Sequence, residues 1–457
     1  MRHAPSVRPI VPAAAAFRRC FANASLGIQI CSALFFLSCS MPVLRGASGD
    51  ENWDAGFGVP GVEGYISAMA AFRTELFVGG VFSRIGGVEA TNVARWDGTN
   101  WSALGPGLGS IAEQRGVLAL TMIEGDLFAG GAFRSSGTNP ISGLAKWNGE
   151  AWVPIAGAGR NGLVSALASD GFNLYVGGVF TTIAGINASN VAKWDGTNWS
   201  PLGNGVHRWR IGVIEPLVDT AHVRSLAVRD GEVFVGGDFE IAGTISATNV
   251  ARWDGANWSS VGGGGPGPAR ALTVSEGRVF AGGDFGVASW VGSDWELNVG
   301  NLSQNGYVWV LASSGSELFA GGAFSSIEGV PATGIAKWNG SHWSSLGSGL
   351  DTSGGTFAMA SNGSDLYVGG RFISAGGKPA TNIARWRIPH ELKIRRAADK
   401  ALLSWPATGS NLFLEATLNP AASSWTILSN PPGLHGGECV VTNPVTDAGQ
   451  FFRLRGR

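Results

Sequence analysis

Short apolar runs alternate with glycine-rich and polar stretches along most of the chain, and this pattern recurs seven times. In each copy an apolar run ends in a Gly-Gly doublet, and a Phe follows after one further residue. In six copies a pair of Trp residues five positions apart comes next, separated by a turn such as Asp97-Gly98-Thr99-Asn100. Runs and turns of this kind predict four short antiparallel strands per copy. The doublets are Gly79-Gly80, Gly130-Gly131, Gly177-Gly178, Gly236-Gly237, Gly282-Gly283, Gly321-Gly322 and Gly369-Gly370.

The repeat predicts an all-β fold in which each copy forms one blade of a seven-bladed β-propeller over residues 50–388. A solenoid would need capping repeats, and the sequence shows none. The seventh copy stops after Trp386 without a fourth strand, whereas Asn52-Trp53-Asp54-Ala55, before the first copy, matches Asn100-Trp101-Ser102-Ala103. We therefore expect the N-terminal strand to complete the last blade and close the ring, which would leave no open edge.

A different pattern begins after Pro389, where strand-like runs are shorter and the Trp pairs end. Six such runs predict a small β-sandwich over residues 390–457. The runs are 392–395, 401–405, 412–416, 425–428, 439–442 and 451–454.

The first 48 residues differ from the rest, because four arginines precede an apolar run from Leu26 to Leu44. This order is typical of a secretory signal, so we expect export to the periplasm, the cell surface or the medium. A twin-arginine signal, a lipoprotein cut before Cys39 and a retained membrane anchor are the alternatives. Three of the four cysteines lie in this segment, so Cys439 alone would remain and no disulfide is expected.

Composition narrows the possible partners. Charged residues make up 14% of the chain and the net charge is −1, so the sequence has no excess of positive charge that would favour nucleic acid or an anionic membrane as a partner. After removal of the signal we expect a monomer with no membrane span. The 71 glycines show no collagen period, so we assign them to turns and close strand packing.

The candidate site lies on the face that carries the long connections, since variable loops on a rigid scaffold commonly bind ligands. Only the fourth and fifth copies place a carboxylate directly after the doublet, at Asp238 and Asp284. These carboxylates could bind a cation, for which calcium is suited, or perform acid–base chemistry with a nearby histidine. Alternatively, each accepts backbone N–H bonds within its own loop. The long connection that enters the fourth copy supplies His207, Trp209, Glu215, Asp219 and His222.

Trp209 lies outside the regular Trp pairs, so it could stack on a sugar ring or pin the connection to the scaffold. The Gly-Gly doublets and the Trp pairs resemble kelch repeats, such as those in the galactose oxidase propeller. The motif Leu-Tyr-Val-Gly-Gly followed by Asn-Ile-Ala-Arg-Trp is similar to the repeats of exported proteins such as the fungal cortical polarity markers. The C-terminal runs resemble a fibronectin type III module. These resemblances imply an architecture and no particular activity.

No catalytic or cofactor motif stands out in the sequence. The predicted first strands of the seven copies contain no Asp, Glu or His, and Arg224 and Arg270 are their only charges, so the funnel wall is interpreted as structural. We therefore expect a non-catalytic binding or surface-interaction protein without a required cofactor, with a glycan or an exported protein as ligand. The alternatives are an exported hydrolase or lyase that acts on polysaccharide, with its site over the fourth and fifth blades, and a spacer without a site.

Overall fold

A computed structural model describes most of the chain after residue 48. The described residues are 49–109, 116–155, 157, 162–208, 221–303, 306–351, 354–389, 392–397, 400–406, 412–418, 425–428, 431–435, 438–444 and 450–456. They are all-β, and their one helix is the 3₁₀ turn Asp50–Asn52. The expected signal at residues 1–48 lies outside this part. Among the described residues we find no helix long and apolar enough to cross a membrane.

Seven antiparallel sheets, numbered here in chain order, follow the seven sequence repeats. Sheet 7 has three strands and the others have at least four, and neighbouring strands of a sheet are those next to each other in each list. Their strands are, in sheet 1, Val62–Phe72, Glu75–Ile85, Val93–Trp96 and Trp101–Ala103; in sheet 2, Val117–Ile123, Asp126–Gly131, Leu144–Trp147 and Trp152–Pro154; in sheet 3, Leu163–Ser169, Leu174–Val179, Val191–Trp194 and Trp199–Pro201; in sheet 4, His222–Arg229, Glu232–Asp238, Val250–Trp253 and Trp258–Ser260; in sheet 5, Ala271–Ser275, Arg278–Gly283, Gly286–Trp290 and Trp295–Gly300; in sheet 6, Tyr307–Ser314, Glu317–Ala323, Ile335–Trp338 and Trp343–Ser345; and in sheet 7, Gly355–Ser361, Asp365–Arg371 and Ile383–Arg387.

The Gly-Gly doublets allow close packing in two directions. A Cβ atom on the first glycine of any doublet would lie under 3.0 Å from a side chain on the first strand of the next sheet, for example Val117 for Gly79. The same relation joins Gly369 of sheet 7 to Ile66 of sheet 1. A Cβ atom on the second glycine would meet a carbonyl oxygen on or just before the first strand of its own sheet, at 2.1 Å for Gly80. The doublet is therefore required where the second strand lies close to a side chain of the next sheet and to the backbone of its own first strand.

The Trp residues that begin the fourth strands connect neighbouring sheets. The indole N–H of Trp152 donates to the carbonyl of Leu104 in the preceding repeat at 3.1 Å, and that of Trp258 donates to Leu202 at 2.8 Å. Trp53 makes the corresponding bond to Leu346 at 2.9 Å. Packing these indoles with their donors satisfied adds both apolar contact and a hydrogen bond at these three junctions.

Trp53 stands beside sheet 7 in the place where the other sheets have a fourth strand. It forms an antiparallel bridge with Trp386, and the two indole rings meet edge to face at 5.1 Å between centroids. The amide of Asp54 donates to the carbonyl of Arg385 at 3.0 Å. Lys378 binds the carbonyl of Trp53 at 2.6 Å, which holds the segment from its other side.

The connections between second and third strands contain small elements that the sequence analysis did not anticipate. Sheet 1 carries a two-residue strand, Val88–Glu89, that folds back on its second strand. Five other repeats form a separate two-residue hairpin, and in sheet 5 a tight turn replaces it, as the short Gly283–Gly286 segment predicts. The hairpins are Ser135–Ser136 with Asn139–Pro140, Thr182–Ile183 with Ile186–Asn187, Ile241–Ala242 with Ile245–Ser246 and with Val206–His207, Ser326–Ile327 with Val330–Pro331, and Ser374–Ala375 with Lys378–Pro379.

Two further antiparallel sheets follow in the C-terminal part. All six predicted strands are present, and the short strand Gly433–His435 is an addition. Leu403, Trp405, Leu414 and Val441 come from both sheets and form one buried cluster. Cys439 is a free thiol. The strands are Lys393–Ala397, Lys400–Pro406, Glu438–Pro444 and Gly433–His435 in one sheet, and Thr426–Ile427, Leu412–Thr417 and Phe451–Gly456 in the other.

Candidate ligand-binding site

One cavity of about 210 Å³ is lined by residues on or directly before the first strands of all seven sheets. Neighbouring first strands contact each other in sequence, and the first strand of sheet 7 contacts that of sheet 1. Three consecutive positions in each sheet contribute to the lining, and the first of the three varies most in chemical character. The residues at this first position are Ser67, Leu118, Ser165, Arg224, Arg270, Trp309 and Phe357.

A β-bulge presents most of these side chains. In six sheets the pairing of the first and second strands skips the first of the three lining residues, as it skips Arg224 between Val223 and Ser225. The same shift occurs at Ser67, Leu118, Ser165, Trp309 and Phe357. A bulge leaves one residue out of the ladder and changes the direction of its side chain. The repeat therefore places a variable residue at a fixed place on the cavity wall.

Aromatic rings form a continuous arc from sheet 6 to sheet 1. Tyr307 and Trp309 are stacked at 6.3 Å between centroids with 12° between their planes. The Trp309 and Phe357 rings are 5.0 Å apart, and the Phe357 and Tyr65 rings are 6.0 Å apart. Tyr307 remains 37% exposed, so part of the arc is open to solvent. The arc offers apolar ring surface with phenol groups at its two ends.

Two arginines continue the wall where the arc ends. The guanidinium of Arg270 lies over the Tyr307 ring at 5.5 Å, and its Nε is buried without a hydrogen-bond partner in the structure as described. Burial lowers the pKa of Arg224, and the positive charge of Arg270 lowers it further, while Asp238 opposes the shift. Within the described residues the cavity lining has these two cations and no carboxylate or imidazole group.

Asp238 and His222, which the sequence predicted as ligands, face each other across the first two strands of sheet 4. The Asp238 carboxylate accepts a bond from Arg208 at 2.9 Å. The Nε2 atom of His222 is 2.9 Å from the hydroxyl of Ser165. Burial and the nearby charge of Arg224 lower the pKa of His222 to about 4, against a smaller opposing effect of Asp238. This part of the wall is therefore ordered by internal bonds.

The remaining predicted site residues are dispersed. His207 is paired with the carbonyl of Asn204 through Nε2 at 2.7 Å, and Asp284 is exposed in the tight turn of sheet 5. Trp209, Glu215 and Asp219 lie outside the described residues. Within the described part of the chain no three His, Cys, Asp or Glu side chains could hold a metal ion together. The calcium hypothesis stays a prediction.

The aromatic arc was not predicted, because the predicted first strands contain no Asp, Glu or His and were interpreted as structural. Arg224 and Arg270 were noted only as the charges of these strands. A signal was present, because the first of the three lining positions differs more in size and charge between the repeats than its two neighbours do, as in Val223-Arg224 and Val308-Trp309. Without the bulge, however, that residue could not be assigned to the cavity.

No protein-family model matches the chain, and no curated protein matches it either. Among solved structures, the extracellular domain of BT4673 from B. thetaiotaomicron, a protein described as part of a hybrid two component system, gives a TM-score of 0.47 at 11% identity over 84% of this chain and 47% of that one. A second structure of that domain gives 0.45. YCF48 bound to D1 peptide gives 0.33 at 12% identity, over 77% of this chain and 92% of that one. The chain spans about half the length of the BT4673 domains that it matches.

Proposed function

We propose that residues 50–388 form a closed seven-bladed β-propeller in which the N-terminal segment supplies the last strand. Two relations support closure. Gly369 packs on Ile66 as Gly79 packs on Val117, and Trp53 makes the same carbonyl bond as the Trp residues of the fourth strands. A ring of this kind also leaves no unpaired sheet edge. The buried cluster around Trp405 supports the assignment of residues 390–457 as a β-sandwich.

We further propose that the protein is an exported binding or surface-interaction propeller that acts without catalysis, with a glycan or an exported protein as ligand. The observation that carries the proposal is the cavity wall, which Arg224 and Arg270 share with Trp309 and Phe357, the two middle rings of the aromatic arc. Concave sites that combine apolar surface with a few convergent polar groups are typical of ligand binding. Export rests on the basic and apolar pattern of residues 1–48.

The proposed binding surface is the cavity, whereas the sequence pointed to the loops over blades 4 and 5. The arginines still belong to those two blades. A glycoside hydrolase generally needs two catalytic carboxylates that flank the scissile bond. The described lining offers none, and the Asp238 carboxylate is engaged by Arg208, so the described geometry supports binding better.

The test is a glycan array probed with the full chain, its Trp309→Ala variant and its Arg84→Gln variant. Trp309 lines the cavity, whereas Arg84 is an exposed residue on the second strand of sheet 1 and lies outside the lining. Array binding that is lost with Trp309→Ala and kept with Arg84→Gln supports the proposal, provided that circular dichroism shows an unchanged fold. Bound glycans that survive Trp309→Ala, or that are cleaved during incubation, would contradict it.

A further inference from the structure

The two cavity arginines occupy equivalent positions on adjacent first strands, so two positive charges share one partly desolvated wall. Like charges in such a place disfavour each other, and the lowered pKa of Arg224 follows from burial and from Arg270. Asp238 offsets part of this charge, but its carboxylate is bound to Arg208. An anion that enters the cavity would relieve the repulsion, so the wall favours a negatively charged ligand.

The arginines also favour a planar anion. A guanidinium presents a rigid fork of N–H donors that matches a carboxylate through two parallel bonds. The Tyr307 ring holds Arg270 in place at 5.5 Å, and the buried Nε of Arg270 has no partner in the described structure. A guanidinium group that is already oriented loses little entropy when an acceptor binds to it.

The aromatic arc indicates what carries the carboxylate. Trp309 lies between Tyr307 and Phe357, and it lines the same cavity as Arg270. A flat apolar ring beside an anion-binding group fits a pyranose ring, whose C–H face can lie on an aromatic surface while its hydroxyls remain in water. A volume of about 210 Å³ suits a terminal group of this size better than a helix or a folded partner.

An extended peptide fits this wall less well. Peptides that bind β-proteins commonly add a strand to an open sheet edge. The first strands that line the cavity are paired with their second strands, and only single bulge residues such as Arg224 stand outside the ladder. The wall therefore presents isolated side chains instead of a row of backbone donors and acceptors.

We propose that the cavity binds the carboxylated terminal sugar of an acidic glycan, with the carboxylate on Arg224 and Arg270 and the sugar ring on Trp309. This inference rests on the proposed binding function and specifies its ligand class. Binding forms and breaks no covalent bond in the ligand. The carboxylate of the sugar then provides affinity and orientation. Stacking on the Trp309 ring does not depend on charge, so neutral sugars can also make it.

The experiment compares carboxylated oligosaccharides with the same molecules after carboxyl reduction, by calorimetry on the full chain. The probes are oligogalacturonate, a glucuronate-terminated oligosaccharide and a sialylated oligosaccharide, and a sulfated oligosaccharide tests for a different anion. We expect at least one carboxylated probe to bind about tenfold or more tightly than its reduced form, in line with the usual strength of hydrogen bonds to charged groups. Raising the salt concentration should weaken the carboxylated probe only.

Variants separate the two parts of the site. Arg270→Gln should remove most of the preference for the carboxylated form, Trp309→Ala should weaken both forms, and the control Arg84→Gln should change neither. Equal binding of carboxylated and reduced forms, with loss in Trp309→Ala, would overturn the acidic-sugar inference and keep the binding function. A preference for the sulfated probe alone would also overturn the inference. A complete absence of binding to these probes would overturn it, and the array would then decide the binding function separately.

Discussion

The Nε of Arg385 donates a hydrogen bond of 3.1 Å to the carboxylate of Asp54, across 331 residues of sequence. The side chains are 19% and 14% exposed, so most of this ion pair is shielded from water. The same carboxylate also accepts the amide of Gly56 at 2.9 Å. One acidic residue thus attaches the N-terminal segment to sheet 7 and shapes the turn that follows it.

Asp54→Asn should lower the free energy of unfolding by about 2–3 kcal/mol, because it leaves Arg385 without its main acceptor in a partly buried place. Chemical denaturation would measure the change. Glu63→Gln is the matched control, since Glu63 pairs with Arg84 on the surface at 3.9 Å. That pair should contribute less than about 1 kcal/mol. Equal effects of the two substitutions would contradict a specific role for Asp54.

Acid should weaken the same junction. Burial opposes ionisation of Asp54, but the bonds from Arg385 and Gly56 and the nearby positive charges outweigh it and lower the pKa to about 2. The ordinary value is 3.8, so the folded state binds fewer protons than the unfolded state between these values. The stabilisation is present above about pH 4 and is lost as the pH falls towards 2. Thermal unfolding from pH 6 to pH 2 should therefore show a smaller acid-induced loss in Asp54→Asn than in the wild type.

Trp53 should contribute more to the free energy of unfolding than an exposed residue would. Trp53→Phe keeps a ring beside Trp386 but removes the bond to the Leu346 carbonyl, and we expect a loss of about 1 kcal/mol. Trp53→Ala removes the ring as well and should cost about 3–5 kcal/mol. Trp425→Ala in the C-terminal part is the comparison, because it leaves this junction intact. If Trp53→Ala left the unfolding free energy unchanged, ring closure by this segment would be refuted.

The doublets make a separate prediction about sheet-to-sheet packing. A Cβ atom at Gly177 would lie 2.4 Å from Cγ1 of Val223 in the next sheet, so Gly177→Ala should destabilise the protein by about 1–3 kcal/mol. Val223→Ala should restore part of the loss, because it removes the opposing methyl groups. Gly56→Ala is the control, since its nearest contact would be 3.6 Å away. Unfolding free energies of the wild type, the two single variants, the double variant and the control test this coupling.

The longer strands that repeat could be predicted, whereas the two-residue hairpins and the residues that differ between repeats could not. The Gly-Gly doublets and Trp pairs mark the strands of each sheet, because close packing and indole hydrogen bonds need those residue types at those places. The hairpin Thr182–Ile183 with Ile186–Asn187 has too few residues to show a period-2 pattern. The first strand of sheet 4 spans His222–Arg229, one residue more at each end than the strand-like run 223–228 in the sequence.

The sequence directed attention to the loops over blades 4 and 5. Those two blades supply Arg224 and Arg270 of the proposed wall, whereas Trp309 and Phe357 come from sheets 6 and 7. Asp238 drew attention because a carboxylate is unusual after the doublet, and it does lie next to the wall through its pairing with His222. Arg270 and Trp309 were passed over because isolated residues on a strand give no sign of sharing a cavity. Their proximity depends on the ring arrangement of sheets and on the bulges, which link residues far apart in sequence.

Substitution of Asp238 distinguishes the acidic-sugar proposal from the calcium hypothesis. Its negative charge opposes the lowering of the Arg224 pKa, and it is bound to Arg208. If the cavity takes an anion, Asp238→Asn should strengthen binding of a carboxylated oligosaccharide by about two- to fivefold, because a repelling charge is removed from the vicinity. Asp284→Asn, in the exposed turn of sheet 5, should have little effect. If instead calcium raises the melting temperature and both substitutions abolish that rise and the binding together, the carboxylates are cation ligands and the anion site is wrong.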